Sequence, residues 1–337
     1  MRAVAITCIR DEGPWLLDWI AHHRAHGFTD FLIASHDCAD GTDALLDALD
    51  ADGIITHLPF TPKGNKAVQW QALKLLQSHA LYTSAEAAMF FDVDEYLVLR
   101  KGKALVDLFV EGAQAVPLRW HLFGSSGHAT WEDRPVTERF TRSAPDGAAL
   151  PAGHMFKTLH HPAAFNGLGV HRPKGRAQWH FASGKRAPKV FEEKQAIIHL
   201  LGVPQKDEIA WLNHYAVRSI EEFVLKSARG LPNHTTRRVD VGYWVERNFN
   251  TVEDKRIAWM AEATAQSRAD LAPYDALHEA CVKHHKNHLV RLKKDKDVVD
   301  MMWRLEMVPT SYPPRAERFA AHVAMLKGLA AQEDNDG

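Results

Sequence analysis

Apolar and polar positions alternate in blocks along the first hundred residues. Ala3–Ile9 is an uninterrupted apolar, β-branched run, the pattern of a strand buried on both faces. Pro14 stands at a first-turn position, and Leu16, Trp19, Ile20 and His23 then recur at helical spacing until Gly27. Residues 31–34 predict a second strand. Thr42 predicts the cap of a helix carrying Leu45, Leu46 and Leu49, which Gly53 closes. Residues 54–60 predict a third strand, 65–79 a longer helix with Val68, Ala72, Leu75 and Leu76 inward, and 89–91 a fourth strand. Strands alternating with helices of this length imply crossover connections, and so an α/β chain with a mainly parallel sheet.

Past Leu99 the pattern changes. Ala115–Leu122 predicts another strand, followed by the loop Phe123-Gly124-Ser125-Ser126-Gly127-His128. Residues 130–210 are rich in Gly, Pro, His and Arg, with short strand-like pieces such as 155–159; such stretches form lids and binding loops over a rigid sheet. Residues 211–217 predict a strand. Ser219 and Glu222 then form a capping box opening a helix that ends at Gly230. From about Val252 onward the pattern is helical, and 332–337 are expected to fray.

Composition narrows the function classes. A chain of 337 residues can bury a full core. A formal net charge of −1 gives no general attraction to nucleic acid or an anionic membrane surface. No apolar run approaches the length of a membrane span, and the opening residues are too short for a signal peptide before Asp11 and Glu12. A cytoplasmic location is therefore expected. Cys8, Cys38 and Cys281 are widely spaced, without zinc spacing, and read as reduced thiols.

The densest chemistry lies in Met89-Phe90-Phe91-Asp92-Val93-Asp94-Glu95-Tyr96-Leu97. An apolar strand delivers Asp92 and Asp94 at alternate positions, hence on one side of an extended chain. Two close carboxylates repel unless a cation sits between them, and hard oxygens suit Mg²⁺ or Mn²⁺. The carboxyl edge of an α/β sheet is also where ligands bind. Alternatively, these acids form a solvated turn. Asp37 and Asp40 follow the second strand, where an acid can accept hydrogen bonds from a base or ribose, or cap the next helix. Lys63 and Lys66 stand at the mouth of the third helix, a place that attracts phosphate, although the spacing is not that of a P-loop. His214 ends a strand and is placed to complete an oxygen-rich metal site, with His171 as the competing ligand. His284, His285 and His288 lie among lysines and read as a solvated basic face.

These residues, in this order, resemble nucleotide-sugar glycosyltransferases of the GT-A fold, in the family 2-like group related to glycosyltransferase family 92. The matching elements are Cys8-Ile9-Arg10-Asp11-Glu12 with Trp15-Leu16 and Trp19, Gly27-Phe28, and Asp37 with Asp40-Gly41-Thr42. They continue with Asp92-Val93-Asp94-Glu95-Tyr96, Phe123-Gly124-Ser125-Ser126-Gly127, Glu138-Arg139-Phe140, and Asn213-His214-Tyr215 with Ser219, Glu222-Phe223 and Lys226. Arg10 stands where most such proteins have Asn. The likeness covers roughly residues 1–232. It implies a GT-A domain there, with a nucleotide-binding half (1–100), an acceptor and metal-completing half (101–232), and a mostly helical C-terminal extension (233–337).

The resemblance implies that Asp92, Asp94 and His214 hold Mn²⁺ or Mg²⁺ against the diphosphate of a nucleotide-sugar donor. Arg10, Glu12, Asp37, Lys66 and Asp92 would surround the nucleotide. Gly124, Ser125 and Ser126 would meet sugar hydroxyls, and Trp120 or Trp131 would stack on a glycan or lipid-linked acceptor. An inverting transfer needs a carboxylate base. Asp133, followed by Glu138 and Glu95, is the first choice because the first two follow the Ser-Ser loop; Glu132 is a further nearby acid. Peripheral membrane contact is compatible with such an acceptor. A haloacid-dehalogenase-like phosphohydrolase also uses Asp-x-Asp at a strand end. It wants the motif after the first strand, with Thr or Val where Tyr96 stands. A non-catalytic nucleotide or carbohydrate binder is the third reading, and the intact acids argue against it.

Overall fold

The structure, a computed structural model, describes residues 1–64, 67–230 and 239–336. Its strands are β1 (Ala3–Ile9), β2 (Asp30–Ser35), β3 (Thr56–Pro59), β4 (Ala87–Phe90), β5 (Glu95–Leu99), β6 (Ala115–Leu122), β7 (Arg142–Ser143), β8 (Phe156–His160), β9 (Ala210–His214) and β10 (Val252–Glu253). Helices α1 (Gly13–Ala25), α2 (Thr42–Ala51), α3 (Val68–Gln77) and the short α4 (Ala80–Thr83) link the first strands. Short α5 (Val136–Arg139) and α6 (Lys189–Glu193) interrupt the irregular middle. Then follow α7 (Ile220–Arg229), α8 (Val241–Val245), α9 (Ala261–Ala269), α10 (Asp275–Leu292), α11 (Lys296–Glu306) and α12 (Ala316–Asp336).

Eight strands form one sheet in the order β3-β2-β1-β4-β8-β6-β9-β5. Alternation along β1 explains its unbroken apolar run. Ala3 and Ala5 pack with Phe31, Ile33, Leu45 and Leu46 on the α1–α2 face. Val4 and Ile6 pack with Leu32, Ala34, Leu73 and Leu76 on the α3 face. With both faces covered, each fully buried Leu, Ile or Phe contributes roughly 1.5–3 kcal/mol. The pairings β1-β2, β2-β3 and β1-β4 are parallel, as expected. In the other half only β6-β9 is parallel; β4-β8, β8-β6 and β5-β9 are antiparallel. Several histidines are core residues: His22 and His23 of α1 pack against Tyr96 and Phe91, and burial holds both well below the usual imidazole range.

Local departures from the sequence pattern have plain causes. Thr42 is the first residue of α2, not its cap. Gly41 turns the chain with a φ of +100°, and the Thr42 hydroxyl accepts the Gly13 N–H at 2.8 Å. The strand expected over 211–217 stops at His214, one residue short of the Tyr215 N–H that donates to the Asp94 carbonyl at 2.8 Å and continues the β5–β9 register. Val252 and Glu253 pair with β7, so the helical region starts later, at Arg256. The C-terminal helices share the main core: Val282 and Leu289 of α10 belong to the α1–α2 cluster. A Cβ at Gly13 would lie 2.5 Å from Cys281 Sγ, so glycine there lets α10 close on the mouth of α1.

Candidate functional site

β1, β2 and β4 end at one edge of the sheet, and the chain leaves β4 through a turn rather than an extended segment. The Glu95 N–H donates to the Asp92 carbonyl at 3.0 Å, and the Asp92 N–H donates to Glu95 Oε2 at 2.9 Å. Asp92 and Asp94 nevertheless face the same cleft, of about 160 Å³. Strand register supplies the rest. Glu95 of β5 lies opposite His214 of β9, which brings His214 Nε2 to 3.6 Å from Asp94 Oδ1.

The cations beside these acids are lysines of the chain. Lys157, on β8 and fully buried, donates to Asp92 Oδ2 at 3.0 Å and stands 3.7 Å from Glu95 Oε1. Lys226, on α7, donates to Asp94 Oδ2 at 2.7 Å and to the Ala216 carbonyl at 2.8 Å. Burial works to raise the Asp94 carboxyl, but Lys226 and His214 outweigh it and hold it well below the usual range. Burial pushes Glu95 well up, more than Lys157 pulls it down. Burial also lowers His214, so its ring is neutral near pH 7, as a metal ligand must be. Its Nδ1 is buried without a partner.

Among the described residues, no three His, Cys, Asp or Glu side chains converge tightly enough to hold an ion alone. A hard divalent ion commonly takes one or two protein ligands and completes its shell with substrate phosphate and water. Two neighbouring ligands on such an ion lie roughly 3 Å apart. Asp94 and neutral His214 fit that mode; Asp92 fits it only by leaving Lys157.

A second cavity of about 470 Å³ adjoins the cleft. Arg10, Glu12, Asp94, Lys226 and Arg229 line both. Helical spacing puts Glu222, Lys226 and Arg229 on one face of α7, aimed at this shared wall. Arg229 pairs with Glu12 Oε1 and donates to the carbonyls of Arg10 and Asp11 at 2.9 and 3.2 Å. Arg10 donates back to the Arg229 carbonyl.

The structure relocates several expected site residues. Asp133 pairs with His278 Nε2 at 3.1 Å and lines neither cavity. Burial tends to raise its carboxyl, but the hydrogen bond and charge of His278 hold it low, a poor state for a base. Glu138 pairs with Arg134 at 3.4 Å, also outside both cavities. Glu95 braces the Asp92 turn. Gly124, Ser125 and Ser126 anchor a loop instead of lining the cleft. The N–H groups of Ser125 and Ser126 donate to Asn248 and Asn250 at 2.8 and 2.7 Å, and Ser126 Oγ accepts from Thr141 and Arg142, each at 3.0 Å. A Cβ at Gly124 would lie 2.4 Å from Asn250 Oδ1.

Asp37 lines the larger cavity, while His36 and Gln69 line the cleft. Lys66 lies outside the described residues. Trp120 lines the cleft, with its ring 4.3 Å from that of His214, whereas Trp131 is buried against Trp15. His171 is held by the Phe156 carbonyl at 2.9 Å and lines neither cavity. His284, His285 and His288 line the larger cavity instead of forming a solvated face, and His285 is buried on Asp40 at 2.9 Å. If Mn²⁺ is held at Asp94 and His214, His214→Ala is expected to weaken its binding tenfold or more, and His171→Ala hardly at all. Titrating Mn²⁺ into both variants decides it, and a larger loss in His171→Ala would overturn the assignment.

Comparison with known proteins yields one family match. The family model described as glycosyltransferase family 92 matches residues 3–240. No curated protein sequence matches the chain. Among solved structures it is similar to S. aureus TarS 1–349, at 14% identity over 49% of this chain and 48% of that one, with a TM-score of 0.30. A glucose-1-phosphate thymidylyltransferase from Bacillus anthracis, described as putative, is similar at 12% identity over 48% of this chain and 72% of that one, with a TM-score of 0.27. An active-site mutant of LgtC is similar at 13% identity over 47% and 57%, with a TM-score of 0.26. The chain thus spans about half the length of the TarS structure it matches.

Proposed function

This chain belongs to glycosyltransferase family 92, and from that premise we propose that it moves a sugar from a nucleoside-diphosphate sugar to a hydroxyl acceptor, with inversion. The supporting observation is the meeting of Asp92, Asp94 and neutral His214 in one cleft at the ends of β1, β2 and β4. Asp94 and His214, with Asp92 beside them, would hold Mn²⁺ or Mg²⁺, which supplies positive charge against the departing diphosphate. The chain adds its own cations at the same wall. Lys226 and Arg229 are fixed before the reaction and stabilise the charge that develops on the leaving group. The acceptor hydroxyl then attacks an oxocarbenium-like centre.

Inversion requires a carboxylate on the opposite face to take the hydroxyl proton. Glu12 is the acid we infer for that role, because it lines both cavities and, while Oε1 holds Arg229 on the shared wall, its Oε2 is buried without a hydrogen-bond partner. Glu12→Gln is expected to cut transfer about a hundredfold with nucleotide affinity retained, and Asp133→Asn to leave the rate near wild type. The reverse pattern would return the base to Asp133.

The acceptor is a glycan or other hydroxyl-bearing molecule. No helix among the described residues is long and apolar enough to cross a membrane, so contact with a lipid-linked acceptor would be peripheral. The reading is tested by incubating the protein with a panel of nucleotide sugars and Mn²⁺, following sugar release or transfer. Phosphate release from phosphate monoesters, without sugar release from any donor, would favour the phosphohydrolase instead.

A further inference from the structure

The larger cavity holds a buried guanidinium whose donors are only partly engaged by the described residues. Arg218 lines it, is 7% exposed, and leaves both Nε and Nη2 buried without a hydrogen-bond partner. Its guanidinium lies 4.1 Å from the Trp15 ring centroid, a stacking contact that fixes the fork, and Nη1 is 3.9 Å from Glu12 Oε2. Its backbone has a φ of +55°. Asp11 and Asp37, at +52° and +49°, line the same cavity. Such strain in non-glycine residues persists where surrounding structure enforces it, and it concentrates at ligand sites.

The cavity's acids are already engaged. Asp11 Oδ1 accepts the N–H groups of Ala39 and Asp40 at 2.7 and 3.2 Å. Asp94 holds Lys226, and Glu222 holds Arg139 through two hydrogen bonds of 2.8 and 2.9 Å. Asp37 pairs with His36 at 3.0 Å, and Glu12 pairs with Arg229. Glu12 Oε2 aside, the groups with donors to spare among the described residues include Arg218 and, on α10, the exposed Arg291, which meets the neighbouring His288 ring at 3.2 Å. Leaving a buried guanidinium with open donors is costly, and a planar fork matches a phosphate oxygen pair.

We propose that this cavity binds the phosphate of a second, phosphate-bearing substrate: the acceptor is a phosphorylated sugar or glycan, held by Arg218 and Arg291. The inference rests on the cleft being the donor site, and it moves Asp37, expected at the nucleotide, to the acceptor's cavity. It also explains why the two cavities share the Glu12, Asp94 and Lys226 wall, since donor and acceptor must meet across one boundary. At about 470 Å³ the space suits a ligand larger than phosphate alone.

The test is calorimetric titration of inorganic phosphate into the full chain, with and without a saturating nucleoside diphosphate. Wild type should bind phosphate in both conditions, with affinities within about threefold, whereas Arg218→Gln should lose 10- to 100-fold, the range for a charge-assisted pair. Arg291→Gln, at the rim of the cavity, should lose severalfold and serves if Arg218→Gln does not fold. Acceptor assays should then show transfer to a sugar phosphate with a KM at least tenfold below that of the neutral sugar, and Arg218→Gln should abolish that preference. Competition between nucleoside diphosphate and phosphate would assign the cavity to the donor's diphosphate and overturn the proposal. Unchanged phosphate binding in the folded arginine variants, or no preference for the sugar phosphate, would overturn it too. If no nucleoside diphosphate binds, yet phosphate binds and depends on Arg218, the donor reading fails while the anion site stands.

Discussion

Asp92→Asn is expected to lower sugar transfer by about 10²–10³-fold, the usual loss when one preorganised electrostatic contact to a reacting centre is removed. The change should also cost stability, because the fully buried Lys157 loses its countercharge and keeps only Glu95, 3.7 Å away, whose carboxyl burial pushes well up toward the neutral form. Asp94→Asn should lose at least as much activity and should likewise lose stability, because it leaves Lys226 facing an amide at a position where both side chains are only 15% exposed. Steady-state transfer rates, with thermal unfolding of the same samples, separate the two effects. Wild-type turnover in Asp92→Asn would remove that residue from the mechanism.

The largest stability effect is expected at Arg139. Its guanidinium grips Glu222 with both oxygens engaged, and each side chain is 1% exposed. Trp15 Nε1 and the Ser219 hydroxyl also donate to Glu222, at 3.1 and 2.6 Å. This carboxylate therefore joins α1, α5 and the start of α7, the helix that carries Lys226 and Arg229. Arg139→Met leaves the carboxylate buried without its countercharge, a change that typically costs about 3–5 kcal/mol.

The pH dependence follows from the same pair. Burial works to raise the Glu222 carboxyl, but Arg139 outweighs it and holds it below the usual range. The pair's contribution is thus complete above the unfolded carboxyl value of about 4.3 and fades as pH falls through the lower folded value. Without Arg139, burial raises the carboxyl in the folded state, and protonation relieves the variant. Urea unfolding should show the deficit near pH 7 and a narrower gap toward pH 4. A gap below about 1 kcal/mol, or one that does not change with pH, would contradict the pairing.

The parallel half of the sheet was legible because its signals are local. Ala3–Ile9 shows a doubly covered strand in its composition, and the Ser219–Glu222 capping box forms as its spacing requires. The acids of the cleft were legible for the same reason, since they stand directly after an apolar strand. Their partners were not. Lys157 occupies one position in a short strand, and only the pairing of β8 beside β4 brings it to Asp92. His214 reaches Asp94 through the β5–β9 register, which no neighbouring residue encodes.

Asp133 shows the opposite case. Closeness in sequence to the Ser125–Ser126 loop suggested closeness to the acceptor, but that loop is tied down on Asn248 and Asn250, and Asp133 turns to α10. Arg218 follows a strand with no local sign of its role. Its cavity exists only because α10, starting at Asp275, folds back over α1 and α7.

The cleft's assignment as a nucleotide-sugar donor site is tested most directly by titration calorimetry with a set of nucleoside diphosphates, with and without Mn²⁺, on the wild type and on His214→Ala. At least one nucleoside diphosphate should bind the wild type, at least tenfold more tightly with Mn²⁺ than without, and His214→Ala should lose that metal-dependent gain. Binding of no nucleoside diphosphate, or binding equally tight without Mn²⁺ and in His214→Ala, would contradict the assignment.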